Sequence, residues 1–510
     1  MQSPLDALLA MMHKLARQVP MPLSTIEPRP LRVLERQAFH PWLVVGVTCI
    51  GAFVGQLDAS IVQLALPTLT HAFDATVNEV RWVAIAYLVA FAGSLGVFGR
   101  VCDMLGRKLL YLGGFALFTG ASLLCGWADD LGGLIAFRAL QGIGGGLLGA
   151  NSMAILVKSV PAGKRARAIG LFTAAQAIGV SAGPIVGGLL LDALGWRWIF
   201  WAALPFGVSA FVLGWLVLPR STARPADTTF DWAGAVLLVP SLILAILALN
   251  QLSVWPLASP AMMLCVAGSV VFLALFVRQE KRTVAPLVDL GLFRNPTFAA
   301  GIVGVALGYA LLYGMLFLMA FALQKGLDNS ATLAGLKLAV IPVVLGLVAP
   351  LGISCGERSS SRRVGTAGMA LCLAAVAALA LIAFGPDRLV IRLCALALFG
   401  LGLGLFMAPN SHATIDAAPA DRSATAGALV NLARVFGSCI GISTTSSMMA
   451  WQLGRLSGHD LMSPLFITAV ESSLLILAAF TLLAGAALQF FSSAPRRAGK
   501  PSALINPARR

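Results

Sequence analysis

Fourteen apolar runs, of roughly 20 residues or more, leave this chain few ways to fold. They lie near 41–69, 79–99, 109–127, 131–157, 167–192, 197–219, 232–250, 260–278, 297–323, 330–354, 364–385, 388–411, 425–449 and 466–491. At 1.5 Å per residue each run crosses about 30 Å of hydrocarbon. In lipid every backbone N–H and C=O must find a partner inside the protein, so long runs without alternation become helices. The expected class is an all-α polytopic membrane protein with 14 transmembrane helices. Composition agrees: 11% of the 510 residues are charged, against about a quarter in soluble domains.

The net charge of +15 is mostly a topology signal. Lys and Arg concentrate in both tails and in alternate loops, for example Arg107 and Lys108, Lys164 and Arg165, Arg282, and Arg362 and Arg363. The positive-inside rule then puts both termini in the cytoplasm; the expected location is the cytoplasmic (inner) membrane. It also removes nucleic acid as a partner. The eight Cys and five His show no metal or disulfide spacing. An intramembrane enzyme would need a cluster such as His with Ser or Asp, and the His lie in tails, loops or helix ends. In the 1–40 tail, Leu5, Leu8, Met12, Leu15 and Val19 form one helical stripe, compatible with an interfacial helix or a disordered tail.

Inside the first run an aspartate, Asp58, interrupts GVTCIGAFVGQLDASIVQLALP. At 100° per residue Gln56, Ser60 and Gln63 share one stripe and Asp58 projects nearly opposite. The polar stripe is expected to line a central cavity, and Asp58 to face packed neighbours, where its charge needs a partner. Arg138 in the fourth run is the candidate, because the two lie within about 6 Å in depth at 1.5 Å per residue. A purely structural salt bridge is the alternative to a proton-sensitive one. Lys337 is expected to snorkel, Glu79 and Arg81 to be surface charges, and His412 and Asp416 to be loop residues. Arg434 has a structural bond to backbone as its plain reading, and Glu471 is a weaker candidate proton site.

Several motifs point one way. The loop GRVCDMLGRKLL carries Gly99, Asp103, Gly106, Arg107 and Lys108. The fourth run holds RALQGIGGG and the fifth GVSAGPIVGG, with Gly179, Gly183, Pro184, Gly187 and Gly188. Pro184 bends a helix, and glycines every four residues allow close packing. These strings resemble the gating loop, the helix 4 arginine motif and the antiporter motif of the major facilitator superfamily. LDASIVQLALP, GWRWIFWAALPFG, TFDWAG, PLVDLGLFRNPTF and AGALVNLARVFGSCIG are similar to segments of its fourteen-helix drug:proton antiporter branch. Departures are Val101 for a usual Leu, Ser60 and Gln63 for Thr and Asn, and Ala203 for Asn.

The resemblance covers about 41–491 and implies two six-helix bundles, 41–219 and 297–491. Two extra helices lie in the 220–296 linker, and the tails 1–40 and 492–510 are cytoplasmic. GISCGERSSSRR at 352–363 reads as a degenerate second gating loop, with Glu357 near the place of Asp103. The implied function is a proton-coupled multidrug efflux transporter working by alternating access. Asp58 and Arg138 would couple protons, and Gln56, Ser60, Gln63, Asn431 and Arg434 would line the substrate cavity. Few acids in that cavity favour neutral or amphipathic compounds over dications. A same-fold carrier of one metabolite, such as a siderophore or amino acid, is the alternative. No cofactor or metal is implied beyond the proton gradient. The expected partners are a small-molecule substrate and lipid, with a periplasmic adaptor in a Gram-negative cell, and the monomer is the expected working unit.

Overall fold

The computed structural model describes residues 27, 29–221, 231–252, 254–256, 258–283, 288–381, 388–419, 422–455 and 464–490. The N-terminal stripe and the C-terminal tail lie outside them. Fourteen long helices follow one another. They are α1 (His40–Ala72), α2 (Val77–Leu105), α3 (Arg107–Gly126), α4 (Leu131–Ser159), α5 (Arg165–Ala193), α6 (Leu204–Val217), α7 (Trp232–Asn250) and α8 (Pro260–Glu280). Then come α9 (Pro296–Phe321), α10 (Ala331–Arg358), α11 (Ser361–Leu381), α12 (Leu389–Asp416), α13 (Ser423–Arg455) and α14 (Pro464–Ala487). A short turn of helix, Arg197–Trp201, leads into α6. Among the described residues 13 helices are long and apolar enough to cross a membrane; α2 is the other long one, at 29 residues.

Local chemistry sets the helix starts. Thr76 and Glu79 form a reciprocal capping box on α2. Asp130, Ser259 and Ser330 accept a first-turn N–H of α4, α8 and α10. Each supplies a partner that lipid cannot. Helices α1–α6 pack mainly on one another, notably α1 on α5 and α2 on α4. In the other half α9 packs on α13 and α12 on α10 and α11. Helices α7 and α8 pair together, and α7 also touches α2 and α13. Across the halves α5 meets α10 and α2 meets α13. The even number of long helices returns the chain to its starting side, here called the termini face.

Candidate functional site

Asp58 and Arg138 are both buried, and Arg138 Nη1 donates to Asp58 Oδ2 at 2.7 Å. Gln141, one helical turn after Arg138, completes the group: its Nε2 donates to Asp58 Oδ1 at 2.9 Å and to Ser122 Oγ at 2.6 Å. Arg138 Nε donates to the Val83 carbonyl at 3.0 Å, and the guanidinium lies 4.4 Å from the Tyr87 ring centroid. Four helices, α1 to α4, therefore share one charge pair. Small residues make this approach possible: Gly142, Gly145 and Gly146 leave room for α2 at Tyr87, Phe91 and Ser94, and Gly144 for α3 at Phe118. Both charges are neutralised and hydrogen-bonded, as burial requires. Removing either charge changes what four helices hold in common.

The antiporter-like string on α5 works on two sides. Gly179, Gly183 and Gly187 face α1; a Cβ at Gly179 would stand 2.5 Å from the Phe53 carbonyl oxygen. Gly188 faces the other half, where a Cβ would stand 2.5 Å from the Ala331 carbonyl oxygen, and the Pro184 carbonyl lies against Gly335 of α10. One glycine–proline stretch thus joins the helix that carries Asp58 to the opposite bundle.

This packing corrects the expected cavity wall. Ser60 is 1% exposed and its Oγ sits at the α1–α5 contact, donating to the Gln56 carbonyl at 2.9 Å. Gln63 is buried too. The α5 glycines cover Ser60 in the conformation seen here, Gln63 Oε1 is buried without a hydrogen-bond partner among the described residues, and Gln56 alone of the three is half-buried.

Arg81 is a second correction. It is 1% exposed, not a surface charge. Its Nη1 donates to Ser446 Oγ at 3.1 Å and Ser447 Oγ at 2.8 Å on α13, and its Nη2 to the Asn250 carbonyl at the end of α7. The opposite half packs over it, so a helix-end position does not mean exposure. Two further contacts cross between the halves at the same level. Asp192 of α5 accepts the N–H groups of Ala331 and Thr332 at 3.1 and 2.8 Å, capping α10 from outside. Gln324, in the π-helical turn after α9, donates to the Leu64 carbonyl at 2.8 Å. The halves are closed against each other at the face opposite the termini.

At the termini face Gly106 has φ 115°, a backbone that favours glycine, and so turns α2 into α3. Asn151 of α4 accepts from Arg107 Nη1 at 3.5 Å. Lys108 is buried and its Nζ donates to the Trp215 and Leu218 carbonyls at 3.0 and 2.7 Å. Glu27 is also buried: its carboxylate accepts from Ser221 N–H at 2.6 Å and from Ser221 Oγ at 2.8 Å. Ser221 Oγ in turn accepts the Arg107 N–H at 2.7 Å. Gly99 and Asp103 fall in α2, and the side chain of Asp103 lies outside the described residues. Lys337 is buried and reaches Asn329 at 2.8 Å toward the far face. His412 and Asp416 belong to the last turns of α12, not a loop, and pair at 3.3 Å.

In the second half Asn431 and Arg434 are half-buried on α13. The Arg434 guanidinium lies 4.8 Å from the Tyr309 ring centroid. Sequence reasoning missed Gln141, Tyr87, Tyr309, Tyr313, Asp192 and Glu27. The spacing of Gln141 from Arg138 was a usable signal, and so was the scarcity of tyrosine, four in the chain.

A sequence model described as Major Facilitator Superfamily matches residues 48–442. The chain belongs to that superfamily. It is 30% identical over 413 residues to the riboflavin transporter RibZ of Clostridioides difficile, covering 81% of this chain and 89% of that one. It is 32% identical over 422 residues to the multidrug resistance protein Stp of Mycobacterium tuberculosis, covering 82% and 78%. The multidrug-resistance name belongs to the branch that the sequence motifs resemble. The fold matches a bacterial homologue of the lysosomal transporter Spinster in an inward-facing, unoccupied conformation, with a TM-score of 0.64, 14% identity, and 89% and 98% of the chains covered.

Proposed function

We propose that this transporter is a proton-coupled antiporter that exports drugs or amphipathic organic compounds across the cytoplasmic membrane by alternating access. The observation that carries the reading is the buried Asp58–Arg138–Gln141 group, set directly behind the α1 face that the antiporter-like string of α5 grips. A proton added to Asp58 neutralises one member of the pair and leaves Arg138 an uncompensated buried charge, which changes the relative stability of the two arrangements of α1 and α4. Because α5 also meets α10 through Gly188 and Pro184, that change is felt at the closed face. Each unit of proton gradient supplies about 1.4 kcal/mol and each 100 mV about 2.3 kcal/mol per charge.

With the cytoplasm on the Lys/Arg-rich termini face, the conformation seen here is closed to the outside. Substrate enters between the halves from the termini face. The second reading, a carrier of one physiological compound, is favoured by the similarity to a protein named as a riboflavin transporter. Expression in an efflux-deficient strain with a panel of dyes and antibiotics separates the two: broad resistance supports multidrug export, and none supports the narrow carrier. Proton release from proteoliposomes on addition of an exported compound tests the coupling, and its absence would remove protons from the mechanism.

A further inference from the structure

Arg434 lies about 17 Å into α13 at 1.5 Å per residue. Among the described residues its guanidinium has no hydrogen bond and no ion pair, and it lies 4.8 Å from the Tyr309 ring centroid. Other arginines in the membrane-spanning helices are treated differently. Arg138 has a carboxylate, an amide and a carbonyl, and Arg81 has two hydroxyls and a carbonyl.

The surroundings keep Arg434 available. Gly437 and Gly441 pack against the Ala306 and Ala310 backbone, which fixes the α9–α13 distance and lays the guanidinium over Tyr309. Gly427, Asn431 and Arg434 fall within about 60° of one another on α13. A Cβ at Gly427 would meet nothing within 4 Å, and Asn431 and Arg434 are half-buried, so the stripe is not sealed by neighbouring helices. The described acids of this half are Asp328 in the loop after α9, Glu357 at the end of α10, Asp416 at the end of α12 and Glu471 in the second turn of α14, and none pairs with Arg434. On α9, Tyr309 and Tyr313 are one turn apart, and Tyr313 stands within electrostatic reach of both Arg434 and Asp58. A cation at this depth without a partner in the protein is costly unless it receives one from outside.

We propose that Arg434, with Asn431 and the Tyr309 ring, is the anchoring site for an anionic group, a carboxylate on an aromatic or amphipathic compound. The inference rests on the transporter reading above and adds the sign of the substrate's charge. Guanidinium presents a planar fork that matches a carboxylate with two parallel hydrogen bonds. Asn431 adds an amide donor three residues away, and Tyr309 holds the fork in place. The proton pair and the anion site lie on opposite halves of the transporter.

The test uses two dyes with the same xanthene skeleton, fluorescein, which carries a free carboxylate, and rhodamine 123, a cationic ester. Binding to the purified full-length protein in detergent is followed by fluorescence anisotropy. Fluorescein is expected to bind at least about tenfold tighter than rhodamine 123, Arg434→Gln to lose about tenfold or more, and Arg434→Lys to retain part of the affinity. Rhodamine 123 binding should not weaken in either variant, because neither substitution removes a contact that favours a cation. Elution as a single folded species, and the retained rhodamine 123 binding, guard against misfolding. No fluorescein binding by the wild type, or equal binding by Arg434→Gln, overturns the anion site. Proton-coupled export of a cationic or neutral dye in that case would leave the transporter reading standing. Arg434-dependent fluorescein binding without proton-coupled movement would instead sink the export reading and keep the site.

Discussion

Two arginines inside the membrane, Arg138 and Arg434, have the same chemistry and opposite surroundings. Arg138 is enclosed by α1, α2 and α4, with Asp58 at 2.7 Å and Tyr87 beneath it. Arg434 is half-buried and stacked on one ring. The first half satisfies its buried charge internally, and such a charge is suited to sensing a proton. The second half leaves its charge without an internal counter-ion among the described residues, as the proposed anion site requires. On the proposed reading the contrast separates coupling from recognition and places each in a different bundle.

The widest gap should appear in stability. Arg138→Ala leaves Asp58 buried without a counter-charge and should cost about 3–5 kcal/mol, seen as a large drop in the thermal midpoint of the detergent-solubilised protein. A midpoint near wild type would mean that the pair is not tightly buried. Next, Gly188→Val and Gly335→Val place side chains against backbone of the opposite half. Overpacking of about 1–3 kcal/mol should weaken the closed face. Labelling of a cysteine introduced at Leu64 by an impermeant maleimide should rise about tenfold, and unchanged labelling would mean that these glycines do not hold the closure. Glu27→Ala removes the carboxylate that binds Ser221 at the start of α3 and should cost about 1 kcal/mol, read as faster proteolysis of the N-terminal segment. Arg434→Gln should move the midpoint least, by under about 0.5 kcal/mol. A loss as large as that of Arg138→Ala would erase the distinction between the two arginines.

Much of the first half was legible in the sequence. The helices follow from run length, and the Asp58–Arg138 proximity from depth along two helices. The glycine string on α5 announced a tight neighbour, although not that three of its glycines face α1 and one faces the other half. Arg81 was misread because its local sequence is that of a helix end; what buries it is α13, hundreds of residues later, together with the end of α7. Ser60 was misplaced for a related reason. Periodicity groups it with Gln56 and Gln63 but does not say which neighbour covers the stripe, and a small polar residue suits a glycine-lined contact as well as a cavity. Glu27 carried no periodic signal at all, because its role depends on Ser221 folding back beside α3.

Asp58→Asn in proteoliposomes, with an imposed pH gradient and a compound that the wild type exports, addresses the coupling itself. The variant keeps the Gln141 contact sterically but cannot carry the negative charge. It should exchange the compound down its gradient while losing accumulation against it, and its initial exchange rate should no longer depend on pH. Uphill accumulation equal to wild type, at equal protein incorporation, would contradict a coupling role for Asp58.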